Sequence, residues 1–200
     1  MREARHSRLQ VAVSIAYDLG WRTQSEVLTL ELRQVDLDEG ALRLDPGSTK
    51  NGDGRVVYLR PGLVELLRVH VERVRALARE QGKVARYLFP IFPTPYVAKR
   101  LVGTQRQDFR KAWATACEAA GHPEALRHDF RRTATRNMVN AGVPERVAMM
   151  VTGHKTRAVF DHYHIVSPAD LKSAASKLDA ARAETGTAPA TVRAIRRAAK

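Results

Sequence analysis

Apolar residues follow a helical spacing along nearly all of this 200-residue chain, and the single exception confines the fold. Ala41-Leu42-Arg43-Leu44 and Arg55-Val56-Val57-Tyr58-Leu59 read as two short strands. Between them, Asp45 to Gly54 is dense in turn residues. The pattern predicts one β-hairpin with a long exposed loop, set in a helical chain. An all-α bundle has no place for strands, and a doubly wound α/β fold needs strands that alternate with helices, so both fit poorly. The expected class is α+β: mainly α-helical with a small antiparallel β-sheet or hairpin.

The helical segments can be placed one by one. Residues 8–19 form a buried helix, closed by Gly20 in the usual position after a helix end. Ser25 stands as the N-cap of a second, short helix through Leu30. Pro61 opens a long helix reaching about Gln81, with Leu63, Leu66, Leu67, Val71, Val74 and Leu77 along it. Leu88-Phe89-Pro90-Ile91-Phe92-Pro93 carries two prolines and predicts an extended apolar connector on the core. A helix is expected over 104–120, with Phe109, Trp113 and Cys117 on one stripe and Cys117 as a core filler. Further helices fall over 128–140, 144–152, 157–163 and 168–183. Residues 184–200 read as a basic tail that becomes helical on contact. No internal repeat is present.

Composition narrows the partner. The chain has 34 Lys+Arg against 21 Asp+Glu, a formal net charge of +13. Residues 127–157 hold seven of the basic residues against two acids, and residues 83–111 hold seven against one. Excess Lys and Arg suit a polyanion, because neutralised phosphates release counterions. The plainer reading is solvated arginine on helix surfaces. No basic stretch alternates with Trp, Phe or Leu as a membrane-surface helix would. One cysteine excludes a disulfide framework and a cysteine-based zinc site. No apolar run approaches the ~18–20 residues that span a bilayer, and Met1 to Arg5 opens no signal sequence. A cytoplasmic protein is expected.

Several polar residues sit where folding does not need them. Arg22 follows the Gly20-Trp21 corner, Lys50 lies at the hairpin tip, and His128 and Arg131 share a helix face three residues apart. His154 follows Thr152-Gly153, and Tyr163 comes nine residues later. Taken singly, each has a plain reading: a surface arginine, a solvated loop lysine, a core histidine, a packed ring with a wet hydroxyl.

Taken in order, Arg, a hairpin Lys, His-x-x-Arg, Gly-His and Tyr resemble the catalytic set of the tyrosine recombinases, or phage integrase family. Leu126-Arg127-His128-Asp129-Phe130-Arg131-Arg132 is similar to that family's His-x-x-Arg box. Gly142 to Ala148 with Thr152-Gly153-His154-Lys155-Thr156-Arg157 resembles the next box, and Val159 to Tyr163 the nucleophile segment. The similarity spans residues 7–175, and 126–165 is its specific part.

The chemistry suits these residue types. A tyrosine hydroxyl, with an ordinary pKa of about 10, needs help to attack phosphorus. Arginines offer charge-assisted hydrogen bonds to a phosphate where charge develops. The resemblance implies that Tyr163 attacks the scissile phosphate to give a 3′-phosphotyrosyl link. It further implies that Arg22 and Arg131 hold the non-bridging oxygens and that Lys50 protonates the leaving 5′ oxygen. His128 then assists proton transfer at Tyr163, and His154 hydrogen-bonds the phosphate. Strand exchange follows without ATP, metal or other cofactor. Arg127, Arg132, Lys155 and Arg157 are the expected contacts to the backbone of double-stranded DNA.

Two departures from the family pattern matter. Relatives carry Arg-x-Ser/Gly-Glu after the first helix, whereas Arg22-Thr23-Gln24-Ser25-Glu26 has one extra residue. Alignment on Ser25-Glu26 would put Thr23 in the catalytic place; Arg22 is preferred, since a turn change costs less than a lost phosphate clamp. The chain also begins almost at the helix leading to Arg22, so it is expected to be a catalytic domain (1–175, with 176–200 as helix end and tail) without its N-terminal DNA-clamping domain. Alternatives are a catalytically impaired DNA-binding remnant on this scaffold, a helix-turn-helix repressor built on 128–151, and a metal site of His154, Asp161, His162 and His164. The resemblance further implies a homotetramer on DNA, with a monomer in solution left open, and localisation at the nucleoid. Leu171, Ala174, Leu178 and Ala181 form a stripe that docks either on a neighbouring protomer or on its own domain.

Overall fold

A computed structural model describes residues 2–47, 52–163 and 168–184. Lys50, His164 and the tail 185–200 lie outside the described residues. The chain divides into two units, Met1–His164 and Ile165–Lys200.

The first unit is built around α1 (Arg2–Leu19), whose Val11, Ala12, Ile15, Ala16 and Leu19 are all buried. Gly20 closes α1 with φ +68, in the left-handed region that a β-carbon disfavours. A Cβ there would also press on Thr152 Cγ2 at 3.1 Å and Ala134 Cβ at 3.2 Å. Glycine is thus required both by the turn and by the close approach of two later helices.

The strand-period segment gives three strands rather than two. β1 (Val35–Asp36), β2 (Ala41–Leu44) and β3 (Arg55–Tyr58) form an antiparallel sheet in that order, with Val35 opposite Leu42 and Leu42 opposite Val57. Alternation sends Leu42, Leu44 and Val57 into the core and leaves Arg43, Val56 and Tyr58 outside. β1 has only two residues, too short for its alternation to stand out in the sequence.

α2 (Pro61–Glu80) has Pro61 in its first turn, where no backbone donor is wasted, and buries Leu63, Leu67, Val71, Val74 and Leu77. The 88–93 segment is extended and packed, with Leu88 and Phe89 buried. Its backbone accounts for the shortened third helix. Ile91 N–H donates to Thr104 O, Gly103 N–H to Ile91 O and Arg106 N–H to Phe89 O. Residues 103–106 are thereby committed to a neighbouring strand-like segment, and α3 runs only over Arg110–Ala119, later than the expected start at 104. Phe109 and Cys117 are buried as the stripe predicted, with Trp113 half-buried between them.

α4 (Asp129–Asn140), α5 (Glu145–Thr152) and α6 (Arg157–Tyr163) follow their expected positions closely. α4 packs on α1, and α5 and α6 on α4. In the second unit, α7 (Pro168–Glu184) carries Leu171, Ala174, Leu178 and Ala181 at helical spacing. No described helix is long and apolar enough to cross a membrane.

His70 of α2 is buried, with Nε2–H donating to Leu88 O at 2.8 Å. Burial holds its pKa down to about 4, against the opposing pull of the Leu88 carbonyl. Between pH 6.5 and 4 the unfolded chain therefore takes up a proton that the native chain refuses. Stability falls as the pH drops through that window, by up to ~1.4 kcal/mol per pH unit from this group. His70→Gln keeps a donor but does not titrate. Its melting temperature should fall less than that of wild type between pH 6.5 and 4.5; equal falls would exclude His70 as a source of acid sensitivity.

Candidate active site

After Arg22 the backbone takes a wide turn. Residues Thr23–Val27 form a π-helical turn, in which Val27 N–H donates to Arg22 O at 3.1 Å and Leu28 N–H to Thr23 O at 2.9 Å. Such five-residue spacing is rare and tends to occur at functional sites. Ser25 is not the N-cap: Arg22 takes that position with an extended backbone and no side-chain cap. The turn brings Glu26 back beneath Arg22. Glu26 Oε2 accepts from the Arg22 backbone N–H at 2.7 Å, and Arg22 Nη1 lies 3.3 Å from Oε1. The Arg22 side chain remains 30% exposed above a carboxylate that is 1% exposed.

Arg131, on the first turn of α4, is 2% exposed. Its Nη1 donates to Gly20 O at 2.8 Å and Thr152 O at 2.7 Å, and its Nε donates to His154 Nε2 at 3.0 Å. Gly20 and Thr152 stand at the C-terminal ends of α1 and α5, where carbonyls lack helical partners and carry the negative end of the helix dipole. Arg131 satisfies both ends without a carboxylate. Its Nη2 is buried and makes no hydrogen bond among the described residues. Burial, with Arg22 nearby, lowers the Arg131 pKa to about 10, so the group is a cation at neutral pH.

His154 is held by the same network. Thr152 Oγ1 donates to Ala148 O at 2.7 Å, which leaves its lone pair to accept from His154 Nδ1–H, also 2.7 Å away. Nε2 then has no proton and accepts from Arg131, which sets the tautomer. Burial, followed by the charges of Arg131, Arg22 and Arg55, pushes the His154 pKa down to about 3. The imidazole is neutral at working pH, and both nitrogens are engaged inside the protein.

Tyr163 ends α6, half-buried, with its ring 4.9 Å from that of His154 and 5.7 Å from the Arg131 guanidinium carbon. His128 Nε2 lies 2.8 Å from Tyr163 Oη. Partial burial and the nearby Arg131 and Arg22 lower the His128 pKa, leaving a neutral imidazole able to take the phenolic proton.

Five of the six residues read from the sequence as catalytic therefore converge: Arg22, His128, Arg131, His154 and Tyr163. Among the expected DNA contacts, Arg132 is exposed and Arg127 half-buried. Lys155 is exposed beside Asp53 at 3.0 Å. Arg157 bonds both Asp161, at 2.9 Å, and Glu145, so its charge is already matched at the start of α6. Two members of the cluster have no site role in the sequence reading. Glu26 hides in the shifted motif, and Arg55 sits at the start of β3. The available signal was strand alternation, which puts Arg55 on the same inner face as Val57. Arg55 bonds Glu26 Oε1, and its guanidinium carbon lies 5.0 Å from the centre of the Trp21 ring.

The profile of the phage integrase family matches residues 1–169. Among curated proteins, the integrase of Salmonella phage P22 is 25% identical over 175 residues, covering 86% of this chain and 42% of that protein. The chain thus spans about two fifths of the length of that curated relative. Among solved structures, XerA recombinase matches with a TM-score of 0.65 at 19% identity, over 86% of this chain and 58% of that one. The Tn1549 transposon integrase in complex with transposon right end DNA gives 0.57 at 16% identity, over 88% and 57%. At such identities these likenesses show a shared fold.

Gly153 joins the two halves of the site and permits a direct test. It caps α5 with φ +73, and a Cβ built on it would overlap Arg55 Nη1. Gly153→Ala should cost more than the ~1–2 kcal/mol of an ordinary left-handed alanine, because Arg55 must also move. In Arg55→Ala, where the overlap is relieved, the cost of Gly153→Ala should fall toward that value. Chemical denaturation of the four proteins reads both costs, and equal costs in the two backgrounds would refute the contact.

Proposed function

The chain belongs to the phage integrase family, and from that membership and the geometry of its polar cluster we propose that it cleaves and rejoins double-stranded DNA through a 3′-phosphotyrosyl intermediate. The observation that carries the reading is the 2.8 Å contact of Tyr163 Oη with His128 Nε2, beside a buried arginine with one nitrogen that makes no hydrogen bond among the described residues.

Tyr163 Oη attacks phosphorus and its proton passes to His128 Nε2. As the new P–O bond forms, the bond to the 5′ oxygen breaks, and Lys50 supplies the proton for that leaving oxygen. The negative charge that builds on the non-bridging oxygens meets Arg131 Nη2 and the Arg22 guanidinium. Both are held in place before the reaction, so little reorganisation is needed as charge develops. His154 serves the phosphate through Arg131, whose Nε it fixes, rather than by a proton of its own. In the second step, the 5′-hydroxyl of a partner strand attacks the phosphotyrosine and the proton returns to Tyr163. The phosphodiester energy is kept in the covalent link, so ATP has no role.

Arg132, Arg127 and Lys155 flank the cluster and are suited to the DNA backbone, with Lys155 exchanging Asp53 for a phosphate. Arg157 contributes less, since two carboxylates already neutralise it. Recombination of paired sites implies a tetramer on DNA, and the apolar stripe of α7 is suited to docking on a neighbouring protomer. This reading places the protein with chromosomal and mobile-element DNA in the cytoplasm.

Suicide DNA substrates that lose the 5′-hydroxyl strand after cleavage should trap a covalent protein–DNA adduct with the wild-type chain. Tyr163→Phe should abolish the adduct, and Arg131→Ala should slow its formation by ~10³-fold or more. Adduct formation by Tyr163→Phe would remove Tyr163 as nucleophile, and wild-type speed in Arg22→Ala would remove Arg22 from the phosphate clamp. Salt-dependent DNA binding with no adduct at all would instead favour a non-cleaving DNA-binding protein.

A further inference from the structure

The buried carboxylate of Glu26 poses an electrostatic problem that Arg22 does not solve alone. A carboxylate excluded from water must be compensated, and the nearest cation would ordinarily pair with it tightly. Arg22 is adjacent, its own backbone N–H is bound to Oε2, and it stands in the phosphate clamp. A tight pairing with Glu26 would neutralise the charge that the clamp requires. Instead Arg22 Nη1 stays 3.3 Å from Oε1, a long contact for a charge-assisted bond. The close partner of Oε1 is Arg55 Nη2.

Arg55 is placed for this role by its strand position and two packing contacts. It begins β3 on the inner face of the sheet, and its side chain is 12% exposed. Its guanidinium stacks near Trp21, whose indole Nε1–H is fixed to Val151 O at 2.8 Å. It also fills the space beside Gly153 that any side chain at that position would occupy. Packing therefore holds Arg55 over Glu26, whereas Arg22 rests on an open turn.

Resting on the reading of this cluster as a phosphate site, we propose that Arg55 is a positioning residue that occupies the Glu26 carboxylate and so leaves the Arg22 guanidinium its charge for the phosphate. The cluster then presents three guanidiniums, Arg22, Arg55 and Arg131, against one carboxylate, and the excess positive charge falls on the two arginines that face the substrate. Removing Arg55 leaves Glu26 buried and uncompensated. Arg22 is drawn down onto it, and the clamp loses one of its cations although Arg22 itself is intact.

The role predicts suppression, which a purely structural part for Arg55 does not. Inorganic phosphate is titrated into the full chain, and the side-chain Nε–Hε signals of Arg22 and Arg131 are followed by NMR. Arg55→Gln should weaken phosphate binding about tenfold, the scale on which one charge contact is felt in a complex. Arg55→Gln with Glu26→Gln should bring affinity back to within about threefold of wild type, since a neutral amide no longer captures Arg22. If Arg55→Gln melts below the assay temperature, Arg55→Met, which preserves the packing on Trp21, takes its place in both backgrounds.

Unchanged affinity in the single variant, a double variant no better than the single, or a wild-type chain in which phosphate does not shift Arg22 would each overturn the proposal. Adduct formation on suicide substrates is measured on the same proteins and reports separately on the chemistry. Suppression in the phosphate titration with no adduct from wild type would sink the strand-cleavage reading and leave the role of Arg55 standing.

Discussion

The buried guanidinium of Arg131 is the contact on which the first unit turns. Burying a cation without a carboxylate partner is costly, and here the compensation comes from the carbonyls that end α1 and α5 and from a neutral imidazole. Those carbonyls are the orphan groups that every helix leaves at its C-terminus. One side chain thus closes two helices, draws them to α4, and keeps its remaining buried nitrogen without a hydrogen bond among the described residues. Gly20 and Ala134 are small because the helices must approach this closely: a Cβ on Gly20 would already press on Ala134 Cβ and Thr152 Cγ2.

Charge explains the protonation states around that pivot. Burial and the charges of Arg131, Arg22 and Arg55 keep His154 neutral, and partial burial with Arg131 and Arg22 lowers the pKa of His128. A neutral His128 can receive the proton of Tyr163, and a neutral His154 can accept a hydrogen bond from Arg131. The sheet serves the same centre. β3 brings Arg55 to Glu26, and Asp53, in the loop before it, meets Lys155 beside His154. The small sheet is therefore as much a brace for the site as a part of the core.

Much of this was legible in the sequence because it depends on local pattern. The helical spacing of α2, Gly20 as a stop, Pro61 as a start, and the ordered run His128, Arg131, His154, Tyr163 are all properties of residues close along the chain. The errors have separate physical causes. The expected helix from Thr104 failed because residues 103–106 spend their backbone groups on the 89–91 segment, a pairing invisible to helical periodicity. The expected cap at Ser25 failed because a π-helical turn moved the start to Arg22. The same turn sets the Glu26 carboxylate beneath Arg22. β1 was missed because two residues carry no period.

By itself the sequence determined the fold class, the order of the helices around the β2–β3 hairpin, and the ordered set Arg22, His128, Arg131, His154 and Tyr163, since hydrophobic period, turn chemistry and motif order act over short stretches of chain. The tertiary structure decided which of those residues work together and in what state. The unused nitrogen of Arg131, the tautomer of His154 and the pairing of Arg55 with Glu26 all depend on groups brought together from distant parts of the chain. Their energies come from burial and from fields that exist only once α1, α4, α5 and the sheet have closed around one another.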